Sequence, residues 1–512
     1  MNLKYVMGVD IGTTSTKAVL FSVDGSVIAS HGIEYPLFSP TPEVAEQDPE
    51  EIFRAVINSI KQTMRKSGIN STNVLCVSFS SAMHSVIAVD KEGKPLTNCI
   101  TWADNRSYEW AEKIKNEMNG HEIYLRTGTP IHPMSPLSKL TWLRNEQPEL
   151  FSGSHKFISI KEYVFYKLFG KYIIDHSIAS ATGMFNLDSL GWDDEALGIA
   201  GVSAERLSQP VPTTYSLTGL NEKFAKEMNL PTSIPFIVGA SDGVLSNLGV
   251  NAIDPGVVAV TIGTSGAIRA VTDRPVTDPK GRTFCYALTE NHWVIGGSVN
   301  NGGMIFRWAK NQFGSSEVET AKRLGEDPYE ILTQIAGKVN PGSDGLLFHP
   351  YLAGERAPLW NANARGSFFG LGLHHQKEHL IRAVLEGVIF NLYTVLLALK
   401  EVIGEPKKIQ ATGGFARSSL WRQIMADIFN QEVSIPESFE SSCLGAAILG
   451  LYSLGEVSSL HVVKDMVGAT HHHRPIEENI EVYKELTAIY IRLARLLKEE
   501  YESIADFQKK WV

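Results

Sequence analysis

The stretch Val9-Asp-Ile-Gly-Thr-Thr-Ser-Thr-Lys17 decides the fold of this chain. It predicts an apolar strand that ends at Asp10, a polar turn, and a second strand that continues through Ala18–Phe21. Half a chain later the layout returns, because the strand-like Gly256–Ile262 runs into the turn Gly263-Thr-Ser-Gly266 and a further strand. The repeat indicates an internal duplication in an α/β protein. Chance recurrence of a short Gly-Thr-Ser string is the alternative.

Composition narrows the class of protein. The chain has 512 residues, of which 43% are hydrophobic and 20% charged, as is typical of a globular protein with two or three domains. A net charge of −9 argues against a general binder of nucleic acid or anionic membranes. The four cysteines are far apart and form no Cys-x-x-Cys pair, which favours reduced thiols. We find no secretory leader and no apolar run near ~18 residues, so we expect a cytoplasmic protein without a membrane span.

The predicted organisation follows from the duplication. A turn-rich stretch at 251–256 is the candidate boundary, which divides the chain into an N-terminal domain at 1–251 and a C-terminal domain at 252–475. Residues 476–512 carry apolar side chains at helical spacing and predict one long packed helix, with a partner-binding helix as the alternative.

The first turn has the composition of a phosphate-binding loop, although it lacks the Walker A pattern. A glycine allows the backbone to approach a phosphate closely, and hydroxyl groups and a lysine supply donors and positive charge. The residues that match this description are Gly12, Thr13, Thr14, Ser15 and Lys17. Asp10, at the end of the strand, is the candidate Mg²⁺ ligand. A plain hairpin turn is the structural alternative.

Two further turns carry candidate site residues. In Val238–Gly243 an apolar run ends at Asp242, whose carboxylate could accept a proton from a substrate hydroxyl that attacks phosphorus. In Ile409–Trp421 a strand meets Gly413 and Gly414 before a helix that Ser418 or Ser419 caps, a turn that could hold a nucleoside. Ordinary capping and an ordinary strand–helix turn are the structural alternatives.

Polar loops with aromatic residues indicate a sugar site. They are Ser80–Ser85, which contains His84, and Trp102–Arg106, to which Lys161 could contribute from a helix. A hydrogen-bonded structural histidine is the alternative for His84. The run His471–His473 does not form a helical ligand face and is interpreted as a solvated loop.

In this order, these segments resemble the FGGY family of carbohydrate kinases, within the actin-like ATPase superfamily. Two longer stretches are similar to the family's signatures: Met134–Glu146, and Gly366–Leu371 followed by His379–Glu386. The resemblance extends from Asp10 to about Tyr452. It implies a duplicated two-domain α/β fold of the ribonuclease H-like type with an interdomain cleft, ATP and Mg²⁺ as cofactors, and a homodimer as an open possibility.

The resemblance also implies roles for individual residues. Asp242 matches the catalytic base and Asp10 the metal-associated aspartate. The nucleotide positions are matched by Gly12, Thr13, Thr14, Ser15, Lys17, Gly263, Thr264, Gly303, Arg307, Gly413, Gly414 and Ser418. Substrate contacts are expected from Met83, His84, Arg106, Met134, Lys161 and Asp242.

Within the family, Ser80–Ser85 and Thr101–Arg106 resemble the members that phosphorylate gluconate. This implies transfer of phosphate from ATP to D-gluconate. Glycerol kinases carry an Arg-Glu pair where this chain has Met83 and His84, which makes glycerol a poor candidate, whereas xylulose kinases share Met-His, so xylulose stays open. Many relatives place Asn or Gln after the base, where this chain has Gly243. An actin-like ATPase without a sugar acceptor is the remote alternative.

Overall fold

A computed structural model describes residues 4–436, 440–468 and 470–511. The chain forms two compact units that are not continuous in sequence. The first unit comprises Met1–Pro255, Val271–Ile295 and Glu440–Gly468, and the second unit comprises Gly256–Ala270, Gly296–Phe439 and Ala469–Val512. The division at 251–256 and the separate C-terminal segment stay predictions, since the units divide the chain by packing and not by sequence order.

Short strands alternate with helices along the N-terminal half. The strands are β1 (Tyr5–Ile11), β2 (Ser15–Ser22), β3 (Val27–Glu34), β4 (Glu46–Gln47), β5 (Val74–Ser81), β6 (Ile87–Val89), β7 (Cys99–Ile100), β8 (Lys156–Ile158), β9 (Ile173–Asp175), β10 (Phe185–Asn186), β11 (Gly191–Trp192), β12 (Gln209–Val211), β13 (Ser216–Leu217) and β14 (Phe236–Ser241). The helices are α1 (Pro49–Ser67), α2 (Tyr108–Glu117), α3 (Gly120–Thr127), α4 (Pro136–Glu146), α5 (Pro148–Gly153), α6 (Ile160–Phe169), α7 (His176–Ser180), α8 (Asp194–Ala200), α9 (Glu222–Met228) and α10 (Asp242–Gly249).

Longer helices are found in the C-terminal half. The strands are β15 (Val257–Ile262), β16 (Gly266–Thr272), β17 (Phe284–Thr289), β18 (His292–Val299), β19 (Leu347–His349), β20 (Ser367–Phe369), β21 (Lys408–Thr412), β22 (Val433–Pro436) and β23 (Thr470–His473). The helices are α11 (Gly303–Phe313), α12 (Ser315–Leu324), α13 (Pro328–Ala336), α14 (Lys377–Ile403), α15 (Ser419–Phe429), α16 (Ser441–Ser453), α17 (Val463–Met466), α18 (Glu477–Leu496) and α19 (Lys498–Trp511).

The first unit is built on a six-stranded sheet in the order β13-β14-β5-β1-β2-β3. Strands β14, β5 and β1 are parallel, β2 pairs antiparallel with β1, and β3 pairs antiparallel with β2. Apolar side chains cover these strands, and the rings of Phe79, Phe165 and Phe236 pack together in the core. Three parallel strands place their carboxyl ends at one sheet edge, where ligand sites of α/β proteins form.

The second unit repeats the central part of this topology. Its hairpin β15–β16 is antiparallel, and β21 and then β22 follow in parallel beside β15. The order β16-β15-β21-β22 therefore matches β2-β1-β5-β14, as the duplication predicts. The edge strand β23 pairs antiparallel with β22 through His471–His473, so the predicted solvated loop is wrong and the backbone there is part of the sheet.

The C-terminal segment differs from the single long helix expected from its sequence. It forms α18 and α19, which meet at Leu497. Tyr483 and Tyr490 are buried on α18, whereas Val482 and Leu496 are 40% and 69% exposed. The buried face of α18 therefore contains tyrosines whose hydroxyl groups have buried hydrogen-bond partners. The spacing of the aliphatic residues does not predict this face.

One described helix, α14, is long and apolar enough to cross a membrane by length and composition. In its most apolar window, 78% of the residues are buried inside the protein. Its buried face carries the ion pair of Arg382 and Glu386, with 2.8 Å between the guanidinium Nε and the carboxylate Oε1. These properties are those of a core helix.

Candidate active site

The carboxyl edge of the first sheet brings Asp10 and Asp242 to one place. Asp10 pairs in register with Ser80 of β5, and Ser241, the residue before Asp242, pairs with Ser81. The Ser80 hydroxyl donates to Asp10 Oδ1 at 2.6 Å. Burial, followed by the negative charge of Asp242, raises the pKa of Asp10 to about 7. Asp10 and Asp242 therefore lie close enough for the charge of Asp242 to affect the ionisation of Asp10.

Lys17 lies opposite Asp10 on the β1–β2 hairpin and forms an ion pair with Glu440. Sequence reasoning placed Lys17 at the phosphates but missed Glu440, which is more than 400 residues away in the chain. No sequence pattern near Glu440 predicts this ion pair, because only the fold brings Lys17 close to Glu440. The ion pair leaves the charge of Lys17 balanced within the first unit.

The first turn is tied down by side chains. Gly12 donates its N–H to the Ser15 carbonyl at 2.9 Å, which closes the turn. Tyr35 donates its hydroxyl to the Gly12 carbonyl at 2.6 Å, and Gln47 donates its amide to the Thr13 carbonyl at 2.6 Å. Trp102 donates its indole N–H to the Thr13 hydroxyl at 2.9 Å. The predicted phosphate turn is thus directly connected to the predicted sugar loop.

Thr14 is exposed at the tip of this turn, and Ser15 begins β2. Met83 borders a narrow recess together with Gly12, Thr13 and Trp102. The structure therefore brings together the hydroxyl-rich turn and one of the predicted substrate contacts.

His84 is held in an uncommon conformation. Its φ of 69° lies in the left-handed region, and its side chain is only 5% exposed. Its Nδ1 lies 2.7 Å from the Ala181 carbonyl, and Lys139 donates to the His84 carbonyl at 2.9 Å. Lys139 also donates to the carbonyl of Met134, which is buried, at 2.5 Å. Backbone strain of this kind persists where the surroundings impose it, as they do at binding sites.

Arg106 and Lys161 both have partners within the protein. Arg106 forms ion pairs with Glu46 and Asp104, and its guanidinium lies 4.7 Å from the ring centre of Trp142. Lys161 is 3% exposed, and burial lowers its pKa. Its ammonium lies 2.6 Å from Asp175 Oδ2 and donates to two backbone carbonyls at 3.0 and 3.1 Å. The Lys161 ammonium thus has an ionic partner and two backbone acceptors within the protein.

The second unit contains an open cavity of about 350 Å³, a volume in the range of small-molecule sites. Six of the residues that sequence analysis assigned to the nucleotide line it: Gly263, Thr264, Gly303, Arg307, Gly414 and Ser418. The Gly303 N–H donates to the Gly263 carbonyl at 2.7 Å, so the second turn and the start of α11 adjoin. Gly413 has a φ of 107°, and a Cβ there would lie 2.2 Å from the Ile262 carbonyl oxygen, which restricts the position to glycine.

Sequence reasoning missed one wall of this cavity. It is formed by α13 and its cap: Asp327, Tyr329, Glu330 and Thr333. The pair Asp327-Pro328 is a helix-start signal, since Asp327 caps α13 and Pro328 occupies its first turn. That signal locates the helix, but it does not indicate that the helix borders a cavity. Phe306 and Trp421 add an aromatic surface with ring centres 5.5 Å apart.

Comparison with known proteins decides the family. The model of the FGGY carbohydrate kinase N-terminal domain matches residues 5–249, and that of the C-terminal domain matches residues 258–454. The chain belongs to the FGGY family of carbohydrate kinases. It is 61% identical to a gluconokinase of Bacillus licheniformis and 60% identical to one of Bacillus subtilis, in each case over 99% of this chain and 98% of the relative.

Solved structures of FGGY kinases have the same fold. A gluconate kinase from Lactobacillus acidophilus has a TM-score of 0.92 and 39% identity over 98% of this chain and 100% of that one. A ligand-bound xylulose kinase from the same organism gives the same values. The fold is the duplicated actin-like ATPase fold, and the prediction of fold class is confirmed.

Proposed function

We infer that this FGGY kinase transfers the γ-phosphoryl group of ATP to D-gluconate and forms 6-phospho-D-gluconate. The observation that carries this inference is the identity of 60–61% to two gluconokinases over 99% of the chain. Identity to xylulose kinases of Staphylococcus epidermidis and Bacillus subtilis is 28% and 26%. A phosphotransferase that acts on an alcohol group is consistent with both sets of relatives.

In the proposed mechanism, Asp242 orients a substrate hydroxyl and accepts its proton while the oxygen attacks phosphorus. Its support is its place at the sheet edge beside Asp10, at the first turn of α10. Proton transfer by a positioned base contributes about 10²–10⁴-fold, and positioning and charge stabilisation contribute most of the remainder. The first turn would hold phosphate oxygens, and the cavity of the second unit would hold the nucleoside.

Asp10 fits the metal role that we propose for it. Its carboxylate supplies oxygen ligands, and a bound Mg²⁺ would offset the burial and the negative charge of Asp242 that together raise the pKa of Asp10. When bound, Mg²⁺ supplies neutralisation of phosphate charge. Thr13, Thr14 and Ser15 would donate hydrogen bonds to the same oxygens.

The contact to the gluconate carboxylate is proposed to come from His84 or Arg106. His84 is fixed by Ala181 and Lys139, so its ring has a defined orientation. Arg106 is a rigid donor held between two carboxylates. Lys161 is the weakest of the three candidates, because its N–H groups already have protein acceptors.

Xylulose is the second candidate acceptor, and the specific observation in its favour is the ligand-bound xylulose kinase at 39% identity. The test is an ADP-release assay on the purified protein with gluconate, xylulose, glycerol, ribulose, fuculose and no sugar. We expect the highest kcat/KM with gluconate and a product with the mass of 6-phosphogluconate. Faster turnover of xylulose would show that the proposed acceptor is wrong, whereas the assignment as a carbohydrate kinase would stand. ADP release without any acceptor would support the remote alternative, an actin-like ATPase.

We further propose that the enzyme acts in the cytoplasm, where ATP is available. A homodimer stays a prediction that light scattering at several protein concentrations can test. Neither proposal affects the chemistry assigned to Asp242.

A further inference from the structure

Two oppositely charged side chains, Lys161 and Asp175, are buried together beneath the carboxyl edge of the first sheet. Their side chains are 4% and 1% exposed, and Lys161 Nζ lies 2.6 Å from Asp175 Oδ2. Burial of two charges is expensive, and apolar residues of similar size often give equal or greater stability. A buried ion pair is therefore weak evidence for a stabilising role, and its contacts have to indicate what it does.

The contacts of Lys161 lie on the strand that leads to Asp242. Its ammonium donates to the Val238 carbonyl at 3.0 Å and to the Ala240 carbonyl at 3.1 Å. Between these two residues the pairing of β14 with β5 shifts register. Gly239 has a φ of 68° there, and a Cβ on it would lie 1.7 Å from the Phe79 carbonyl oxygen. Lys161 thus binds carbonyls on both sides of the irregular position Gly239, just before the strand resumes its pairing with β5 at Ala240.

The contacts of Asp175 lead to the same strand end by another route. Asp175 Oδ1 accepts from the Ile178 N–H at 2.9 Å and so caps α7. On that helix, the Ser177 hydroxyl donates to Ser241 Oγ at 3.0 Å and accepts from the Ser241 N–H at 3.1 Å. Ser241 immediately precedes Asp242 in the chain. The strand end is therefore held twice, directly by Lys161 and through α7 by Asp175.

We infer that the Lys161–Asp175 pair is a positioning device that sets the place and direction of the Asp242 carboxylate. Lys161 is then a positioning residue and not a contact to the sugar acid. The inference rests on the proposed role of Asp242 as general base. It predicts that loss of the pair lowers kcat, whereas loss of a substrate contact would raise KM for the sugar acid.

The test uses Lys161→Met, Asp175→Asn and the double variant. Each single change leaves one buried charge without its partner, so both are expected to lower the melting temperature. The double variant removes both charges, and its melting temperature is expected to approach that of wild type. It still lacks the ammonium that binds Val238 and Ala240. For the double variant we expect kcat to fall at least 10-fold, KM for gluconate to change less than 3-fold, and nucleotide affinity to be unchanged.

Two further variants keep the test decisive if the buried changes impair folding. Ser177→Ala removes the bonds to Ser241 without changing a charge, and we expect it to lower kcat with KM for gluconate retained. Lys156→Met is the matched control, since Lys156 also donates to two backbone carbonyls in the first unit, those of Glu205 and Leu207, at 2.7 and 2.9 Å. It is expected to lower stability and leave kcat unchanged.

The outcomes separate the inference from the proposed function. Wild-type kcat in the double variant and in Ser177→Ala would show that the pair is only structural. A rise in KM with kcat retained would show that Lys161 contacts the substrate. Wild-type protein that fails to phosphorylate any of the five acceptors would remove the proposed function and, with it, this inference. If the wild-type protein phosphorylates a different sugar, the kcat and KM of the variants are compared with those of wild type on that sugar.

Discussion

The two hairpin turns occupy equivalent positions in the duplicated topology but differ in length and in the contacts that hold them. Residues 12–15 lie between the paired strands of the first hairpin, and residues 263–265 between those of the second. Gly12 donates to the Ser15 carbonyl and Gly263 to the Ser265 carbonyl, each at 2.9 Å. In the first hairpin the paired residues below the turn are Asp10 and Lys17, both charged. The corresponding pair of the second hairpin is uncharged: Thr261 and Ala267. The duplicated hairpins therefore differ next to their turns, where the first has an ionisable pair and the second does not.

The surroundings of the turns differ in the same way. Side chains of Tyr35, Gln47 and Trp102 bind the first turn. The second turn accepts hydrogen bonds from the backbone N–H groups of Gly303 and Met304, at the start of α11. A turn held by side chains can be coupled to a neighbouring specificity loop. A turn held by backbone leaves its side chains and the adjoining cavity open to a ligand. This difference is consistent with the proposal that the first turn is connected to the sugar loop and that the second turn borders the nucleoside cavity.

The largest effect is expected from Asp242→Asn, which removes the carboxylate proposed as the base in the first unit. Loss of the base should lower kcat about 10²–10⁴-fold. Nucleotide affinity should be retained, because the cavity of the second unit is unchanged. Steady-state ADP release and calorimetric titration of ATP measure the two quantities, with the exposed Asp194→Asn as control. A variant that keeps wild-type kcat would contradict the role of Asp242.

On the second turn, Gly303→Ala is expected to be the most damaging change. Its Cβ would lie 2.6 Å from the Gly263 carbonyl oxygen, so turn and helix must separate. We expect nucleotide affinity to fall about 10-fold or more, equivalent to ~1.4 kcal/mol, with KM for gluconate little changed. The control is Gly198→Ala in α8, where a Cβ meets no neighbour within 4 Å. Equal affinities of the two variants would refute the close fit of turn and helix.

The matched variants Thr13→Val and Thr264→Val test whether the two turns differ in their connection to the sugar loop. Each change removes one hydroxyl proposed to donate to phosphate, and KM for ATP should rise roughly 10-fold in both. Only Thr13 also accepts from Trp102, so only Thr13→Val should raise KM for gluconate. Kinetics with each substrate varied in turn distinguish the two. Identical effects of both changes on the gluconate KM would indicate that the first turn is not coupled to the sugar loop.

The last effect is on stability and concerns Lys139, which is fully buried beneath His84. Burial lowers its pKa from 10.5 to about 7, so the unfolded chain holds a proton on Lys139 that the folded protein lacks between these values. The free energy of unfolding should therefore rise with pH from about 7 to 10.5, by up to ~1.4 kcal/mol per pH unit from this group. Lys139→Met should lose that slope. Denaturant unfolding at pH 7, 8 and 9 measures it, and equal slopes in both proteins would contradict the shift.

Much of the site could be predicted from sequence because its parts are local. The turns, the glycines and Asp242 each lie within a few residues of a strand end, and strand ends are marked by apolar runs and small polar residues. Parallel strands then bring these positions to one edge. The α13 wall of the cavity was missed for the opposite reason. Its helix start is visible in the sequence, but the surface that it faces depends on residues elsewhere in the chain, such as Gly263, Arg307 and Ser418.

The lysines also show that contacts with distant parts of the chain cannot be predicted from local sequence. Sequence analysis treated Lys17 and Lys161 as cations open to a ligand, and it assigned Lys139 no role beyond the signature. The structure pairs Lys17 with Glu440, surrounds Lys161 with three acceptors, and places Lys139 under the strained His84. Whether a charge is open to a ligand depends on every group within hydrogen-bond reach, and those groups come from distant parts of the chain.

Neighbouring residues alone specified the duplicated α/β architecture, the two turns and the family, and they indicated Asp242 as the proposed base, because periodicity and turn chemistry are local properties of the chain. Contacts between distant residues set which side of the C-terminal helices is buried, what forms the wall of the cavity in the second unit, and which cations have partners. Hydrogen bonds and ion pairs act over about 3 Å in space without regard to separation along the chain, and only the folded coordinates specify that proximity.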